Sequence, residues 1–192
     1  MPTRIYFTPE KDAYIAQYYP DTNFGNVPYL YTNRYQGAND EYQSLIKFDL
    51  CSLGCNQIPP NSELISTRLY LMIYRNEIPC TTRLYAYRIM QYWDENTVTW
   101  NNKPMVDYSQ AVGHVDIDAG YFGWVKMKLT HNIVQKWYNG HYRNYGLLLK
   151  CKEPCDSLIG FYSREFHNPD YWPMLGVCYY QNCCKENEII SI

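Results

Sequence analysis

No run of apolar residues in this sequence approaches the roughly 20 that a membrane-spanning helix requires. Nor does one sign of charge dominate: 17 Lys and Arg stand against 19 Asp and Glu, a net charge of -2, and no basic stripe marks a nucleic-acid partner. There is no Gly-x-Ser-x-Gly elbow, no His-Glu-x-x-His pair and no glycine-rich phosphate loop. The four histidines, His114, His131, His141 and His167, fall in no recognisable motif. An enzyme is therefore not expected. The start, Met1-Pro2-Thr3-Arg4-Ile5-Tyr6-Phe7, has neither an apolar core nor a small-residue cleavage site. The expectation is synthesis in the cytoplasm without a signal peptide, with secretion as the alternative.

Tyrosine, by contrast, is abundant at 22 of 192 residues, and cysteine numbers 8, high for a reducing compartment yet below a disulfide scaffold. Apolar and polar residues alternate with period two. Ile46, Phe48 and Leu50 alternate with Lys47 and Asp49; Leu69, Leu71 and Ile73 with Tyr70, Met72 and Tyr74; Val125, Met127 and Leu129 with Lys126 and Lys128. Leu175, Val177 and Tyr179 repeat the pattern. Further strands are expected near 4–8, 13–17, 29–33, 83–90, 97–100, 112–117, 145–150 and 158–163. Turn signals such as Pro59-Pro60-Asn61 and Asn168-Pro169-Asp170 separate them. Many short strands at this spacing predict an all-β, antiparallel jelly-roll β-sandwich. Ile133, Val134 and Trp137 break the rhythm at helical spacing. They predict one short helix over 130–139, with Thr130 as N-cap and Gly140 as its stop. The expected organisation is one domain over 1–180 and a cysteine-bearing tail over 181–192.

Several blocks carry a resemblance. They are Asp12-Ala13-Tyr14-Ile15, Pro20-Asp21-Thr22-Asn23-Phe24-Gly25, Ser44-Leu45-Ile46-Lys47-Phe48-Asp49-Leu50 and Trp93-Asp94-Glu95-Asn96-Thr97-Val98-Thr99-Trp100-Asn101. Val134-Gln135-Lys136-Trp137-Tyr138-Asn139-Gly140, Asn144-Tyr145-Gly146-Leu147 and Phe161-Tyr162-Ser163-Arg164-Glu165 follow in order. From about residue 5 to 180 this set resembles the DNRLRE-domain family, which includes disaggregatase-related polysaccharide-binding modules. The resemblance implies a jelly roll and a non-catalytic binding role. The cysteine content also resembles small proteins deposited on the spore surface of bacteria. Two functions are carried forward. One is a self-assembling structural protein of a spore surface or extracellular layer, cross-linked in part by cysteines, its partner being itself. The alternative is a carbohydrate-binding module with a polysaccharide partner.

Each candidate site has an ordinary reading beside it. Asp94 and Glu95 are an acid pair of the kind glycosidases use, but they read better as groups that fix the Trp93–Trp100 turn, with both tryptophans in the core. Cys51 and Cys55, and Cys151 and Cys155, each follow a strong strand. They are candidates for intramolecular disulfides, or for a four-thiolate zinc site. Cys183 and Cys184, with Cys178 and Cys80, are candidates for bonds between chains. Asp12, Asp21, Asn23 and Asn26 offer hard oxygens for a structural calcium, although Asp and Asn also serve turns by themselves. Tyr70, Tyr74, Tyr85 and Tyr87 lie on the non-leucine faces of two strands expected to pair. They form the expected aromatic contact surface, for sugar or for a neighbouring subunit.

Overall fold

Alternation becomes pairing in the computed structural model, which describes residues 1–50, 58–151 and 156–181. Among these residues the strands are β1 (Thr3–Phe7), β2 (Pro9–Ala16), β3 (Tyr29–Arg34), β4 (Glu41–Phe48), β5 (Ser62–Asn76) and β6 (Thr82–Ile89). They continue with β7 (Val106–Asp107), β8 (Gly113–Ile117), β9 (Gly123–Leu129), β10 (Leu147–Cys151), β11 (Ser157–Tyr162) and β12 (Met174–Gln181). A single α-helix, α1 (His131–Tyr138), and a 3-10 turn at Pro169–Tyr171 are the helical elements there. The chain is all-β with one short α-helix, as the patterning predicts.

The strand order differs from two separate sheets. Eight strands form a ring, β5-β11-β3-β4-β10-β6-β8-β9, which returns to β5. β12 and β1 extend from β5, β2 attaches to β4, and β7 attaches to β6. The cause lies in β5, whose 15 residues span roughly 50 Å at strand rise. That length lets it pair with β9 along one edge and with β12 and then β11 along the other. Two seams of the ring are narrow. β3 meets β4 at the pair Asn33–Tyr42, and β8 meets β9 at Gly113–Leu129 and His114–Lys128.

The ring encloses the main core. Leu69, Leu71 and Ile73 of β5 join Val125, Met127 and Leu129 of β9, Ile46 and Phe48 of β4, and Leu147 and Leu149 of β10. Each such side chain contributes about 1.5–3 kcal/mol on leaving water. α1 adds Ile133, Val134 and Trp137 to the same core. Thr130 is its N-cap residue, but the hydroxyl makes no capping bond. Gly140, at φ +72°, ends it, a left-handed turn that a Cβ would strain.

The consecutive leucines of β10 show why this sheet is buried on both sides. Leu147 and Leu149 face the ring interior, while Leu148 joins Ala13, Ile15, Leu45, Ile89, Trp93 and Val98 in a second cluster on the outer face. The segment 91–105 lies over that cluster. Here the strand expected at 97–100 does not form. Its polar groups bond locally instead: Val98 N–H donates to Asp94 O at 2.9 Å, Thr99 N–H to Asn102 Oδ1 at 2.7 Å, and Asn102 Nδ2 to Thr97 O at 2.8 Å. Asn23 Nδ2 also donates to Glu95 O and Val98 O, both at 2.8 Å. Gly25 lets these loops touch, because a Cβ there would stand 1.9 Å from Glu95 O.

Candidate functional site

Backbone hydrogen-bond register places one row of polar and aromatic side chains on the outer face of β10, β6 and β8. Lys150 stands opposite Tyr85, Tyr85 opposite His114, and Leu148 opposite Tyr87. Tyr85 and Tyr87 stack at 6.0 Å and 29°. Tyr108 meets Tyr87 edge-on at 5.1 Å, and His114 lies 5.8 Å from Tyr85.

Beside these rings stands Glu41 of β4. Its Oε1 accepts from Lys150 Nζ at 2.7 Å and from Gln43 Nε2 at 2.8 Å. Lys103 sits 3.4 Å above the Trp100 ring. Burial pushes the Lys103 ammonium below the usual lysine range; Glu41 opposes this and Lys150 adds to it. Gln43 Oε1 is buried and has no hydrogen-bond partner. A carboxylate, two ammonium groups and five aromatic rings thus converge on a partly exposed stretch of the outer face, with the Gln43 amide buried beneath them. Such a set offers donors and acceptors to vicinal hydroxyls and flat apolar surface to a pyranose ring.

The tyrosines expected to share one surface are divided. β5 and β6 do not pair with each other: β8 and β9 stand between them on one side of the ring, and β11, β3, β4 and β10 on the other. Tyr85 and Tyr87 form the open face just described. Tyr74 instead lies 4.4 Å from Tyr29 and 5.0 Å from Tyr162, and its hydroxyl donates to Tyr31 Oη at 2.6 Å. This packed array runs on through Tyr14, stacked on Phe24 at 4.3 Å, and through Phe166 and Tyr171. Tyr70 meets Tyr6 at 5.9 Å in a third place, beside Trp124, Lys126 and Met174. Trp93 is core, its Nε1 donating to Tyr145 O at 2.8 Å, whereas Trp100 is half-buried at the rim of the open face.

The oxygen donors proposed from sequence separate as well. Asp21 Oδ1 accepts from Asn101 Nδ2 at 2.8 Å, Asn23 Oδ1 from Gly25 N–H at 3.2 Å, and Asn26 Nδ2 donates to Asn96 Oδ1 at 3.4 Å. Asp12 instead meets Glu95 and Glu165, with one oxygen from each residue within 4.8 Å of the others. Burial, and then Glu165, push the Asp12 carboxyl well above the usual range. Burial also raises Glu95. The acid pair Asp94 and Glu95 parts company: Asp94 Oδ1 accepts from Asn96 N–H at 3.0 Å within its own turn, and Glu95 Oε1 from Asp12 N–H at 2.7 Å.

Of the cysteines, Cys80 is exposed and Cys178 half-buried, both as free thiols. Cys151 is buried, its Sγ 3.9 Å from Thr32 Oγ1. Cys51, Cys55, Cys155, Cys183 and Cys184 lie outside the described residues. Sequence reasoning missed Glu41, Gln43, Lys103, Tyr108 and Lys150. A signal was present for two of them: Glu41 and Gln43 alternate with Leu45 onto the outer face of β4.

Residues 3–175 match the model of Carbohydrate-binding module family 96. The chain belongs to that family. A search of curated proteins finds no match to it. Members of this family bear the name of a binding module rather than of a catalyst, in keeping with the dispersal of the one candidate acid pair. The match spans nearly all of the stretch, about 5–180, over which the resemblance runs, and it supports a carbohydrate-binding-module family without singling out the DNRLRE domain.

Proposed function

We propose that this family 96 module binds a polysaccharide, without turnover, on the outer face of β4, β10, β6 and β8. One observation carries the reading: the stacked Tyr85–Tyr87 pair lies beside the partly exposed Glu41–Lys150 ion pair. Tyrosine rings give a sugar a rigid apolar platform. The partly exposed Glu41 carboxylate and Lys150 ammonium offer an acceptor and a donor to its hydroxyls. Affinity electrophoresis against a panel of soluble polysaccharides tests this. Tyr85→Ala and Tyr87→Ala should each weaken binding about tenfold or more, the equivalent of 1.4 kcal/mol. Tyr70→Ala, on the far side of the ring, should bind as the parent does. Loss of binding in Tyr70→Ala with none in the other two would overturn the assignment. Self-assembly at a spore surface, following synthesis in the cytoplasm, is the second reading. The exposed Cys80 thiol favours it by offering a bond between chains.

A further inference from the structure

We propose that Asp12, Glu95 and Glu165 together hold a divalent cation of calcium type, which clasps β2 to the 91–105 loop and to the loop that follows β11. The three residues come from remote parts of the chain, and the fold brings one oxygen of each within 4.8 Å of the others. Calcium sits at about 2.3–2.6 Å from its oxygens, so donors up to about 4.8 Å apart can share one ion. Magnesium, at about 2.0–2.1 Å, demands a tighter cage, and zinc prefers nitrogen and sulfur.

Two carboxylate oxygens point to a ligand independently of the clustering. Asp12 is 1% exposed. Its Oδ2 accepts from Arg164 N–H at 3.0 Å, while its Oδ1 is buried and has no hydrogen-bond partner. Glu165 repeats the arrangement: Oε1 lies 3.2 Å from Arg164 Nε, and Oε2 is buried without a partner. Each of these two acids therefore spends one oxygen on a donor of the protein and keeps one that no such donor meets, and the two carboxyls lie within hydrogen-bonding reach of each other. Buried anionic oxygens are retained only when something compensates them.

Charge gives the same answer. Three carboxylates face one guanidinium, Arg164, which is 3.9 Å from Glu95 and 3.2 Å from Glu165. With all three ionised, as an ion would hold them, two negative charges are left over; without an ion, burial and Glu165 drive the Asp12 carboxyl toward its neutral form. Lys11 is the next cation; it draws the Glu95 carboxyl down less than the Asp12 N–H and Arg164 do, its ammonium being held over the Trp93 ring at 4.3 Å and donating to Trp93 O. A divalent ion closes the balance. Water and backbone oxygens would complete its shell, since calcium takes six to eight ligands. The competing arrangement is a proton shared between Asp12 and Glu165, and it makes opposite forecasts.

Melting of EDTA-treated protein at neutral pH, with and without calcium chloride, decides between them. Calcium at a hundredfold excess over its Kd should raise the Tm by roughly 5–10 °C. Glu165→Gln and Asp12→Asn should lose that increment. Glu165 is only half-buried, so its variant remains informative if Asp12→Asn fails to fold. Terbium should bind wild-type protein with luminescence sensitised by nearby rings, displaced by calcium and absent in Glu165→Gln. A Tm indifferent to calcium, with Glu165→Gln as stable as wild type, would overturn the proposal in favour of the shared proton. A calcium increment that survives in Glu165→Gln would overturn it by locating the ion elsewhere. The readouts are melting and luminescence, so this inference stands or falls apart from the polysaccharide face.

Discussion

Tyr74 and Tyr87 sit on successive strands, in the same alternation, and come to opposite ends. Tyr74 is surrounded by Tyr29, Tyr31 and Tyr162, and its hydroxyl is spent on Tyr31. Tyr87 stacks on Tyr85 and meets Tyr108, on the sheet face where Glu41, Lys150 and Gln43 gather. In the first region the rings around Tyr74 are half-buried, as Tyr87 is, but they pack on one another and the Tyr74 hydroxyl is already spent, and in that sense the region is closed. In the second, the rings border a partly exposed ion pair, Glu41–Lys150. An aromatic patch therefore reads as a binding face through its polar neighbours rather than through its ring count.

The largest expected effect breaks the comparison if it fails. Tyr14, 8% exposed and stacked on Phe24 at 4.3 Å, belongs to the closed region. Tyr14→Ala should cost about 3–5 kcal/mol, the range for large aromatic truncations in a core, and lower the Tm by roughly 10 °C. Tyr87→Ala should cost about 1 kcal/mol of stability, as a half-buried side chain, while removing polysaccharide affinity. Thermal melts of the two variants side by side are the check. Equal destabilisation would make Tyr87 a core residue and remove the distinction.

An alkaline titration sharpens the same contrast. Burial raises the phenols of Tyr14, Tyr42 and Tyr74 above the ordinary tyrosine value near 10. A folded-state pKa above the unfolded one means that the folded protein holds its proton more tightly. The stability this adds is present in full below pH 10 and is lost as the pH climbs above it. Tyrosinate absorbance at 295 nm should therefore rise in two stages, the last of them, from Tyr14, Tyr42 and Tyr74, only together with unfolding. A single smooth rise before unfolding would show the cluster to be open to solvent.

Much of this was legible in the sequence, because side-chain alternation is a local property. The strands containing Ile46, Leu69, Val125 and Leu175, and the helix around Trp137, follow from period alone. The 97–100 segment misled because Val98, Thr99 and Trp100 have strand-forming side chains, while Asp94, Asn101 and Asn102 supply local hydrogen bonds that outbid a ladder. The carboxylate cluster was half legible: Asp12 was singled out, but nothing local links it to residues 95 and 165. The division of the tyrosines depended on β5 and β6 not pairing, and that is decided by ring closure far from either strand.

The smallest effect concerns one hydroxyl inside the closed region. Tyr74 donates to Tyr31 Oη at 2.6 Å. Tyr74→Phe keeps the ring and removes the donor, leaving the Tyr31 oxygen to the neighbouring Arg75, which also bonds it. Because that oxygen keeps a partner, the loss should be that of one ordinary hydrogen bond, about 1 kcal/mol, a Tm change of roughly 2–4 °C. Tyr31→Phe removes the acceptor instead. The Tyr74 hydroxyl is then left in an aromatic setting without its partner, so this variant should cost more than Tyr74→Phe despite an equal change in atoms. Denaturant melts of the two single variants and the double would measure the difference. The double variant should be more stable than Tyr31→Phe alone and fall close to Tyr74→Phe, since it also removes the hydroxyl that Tyr31→Phe leaves unpaired. Polysaccharide binding should be unchanged in all three, because the bond lies on the opposite side of the comparison from Tyr87. Additive losses in the double variant would mean that the two hydroxyls act on separate partners and that the closed region is not a single network.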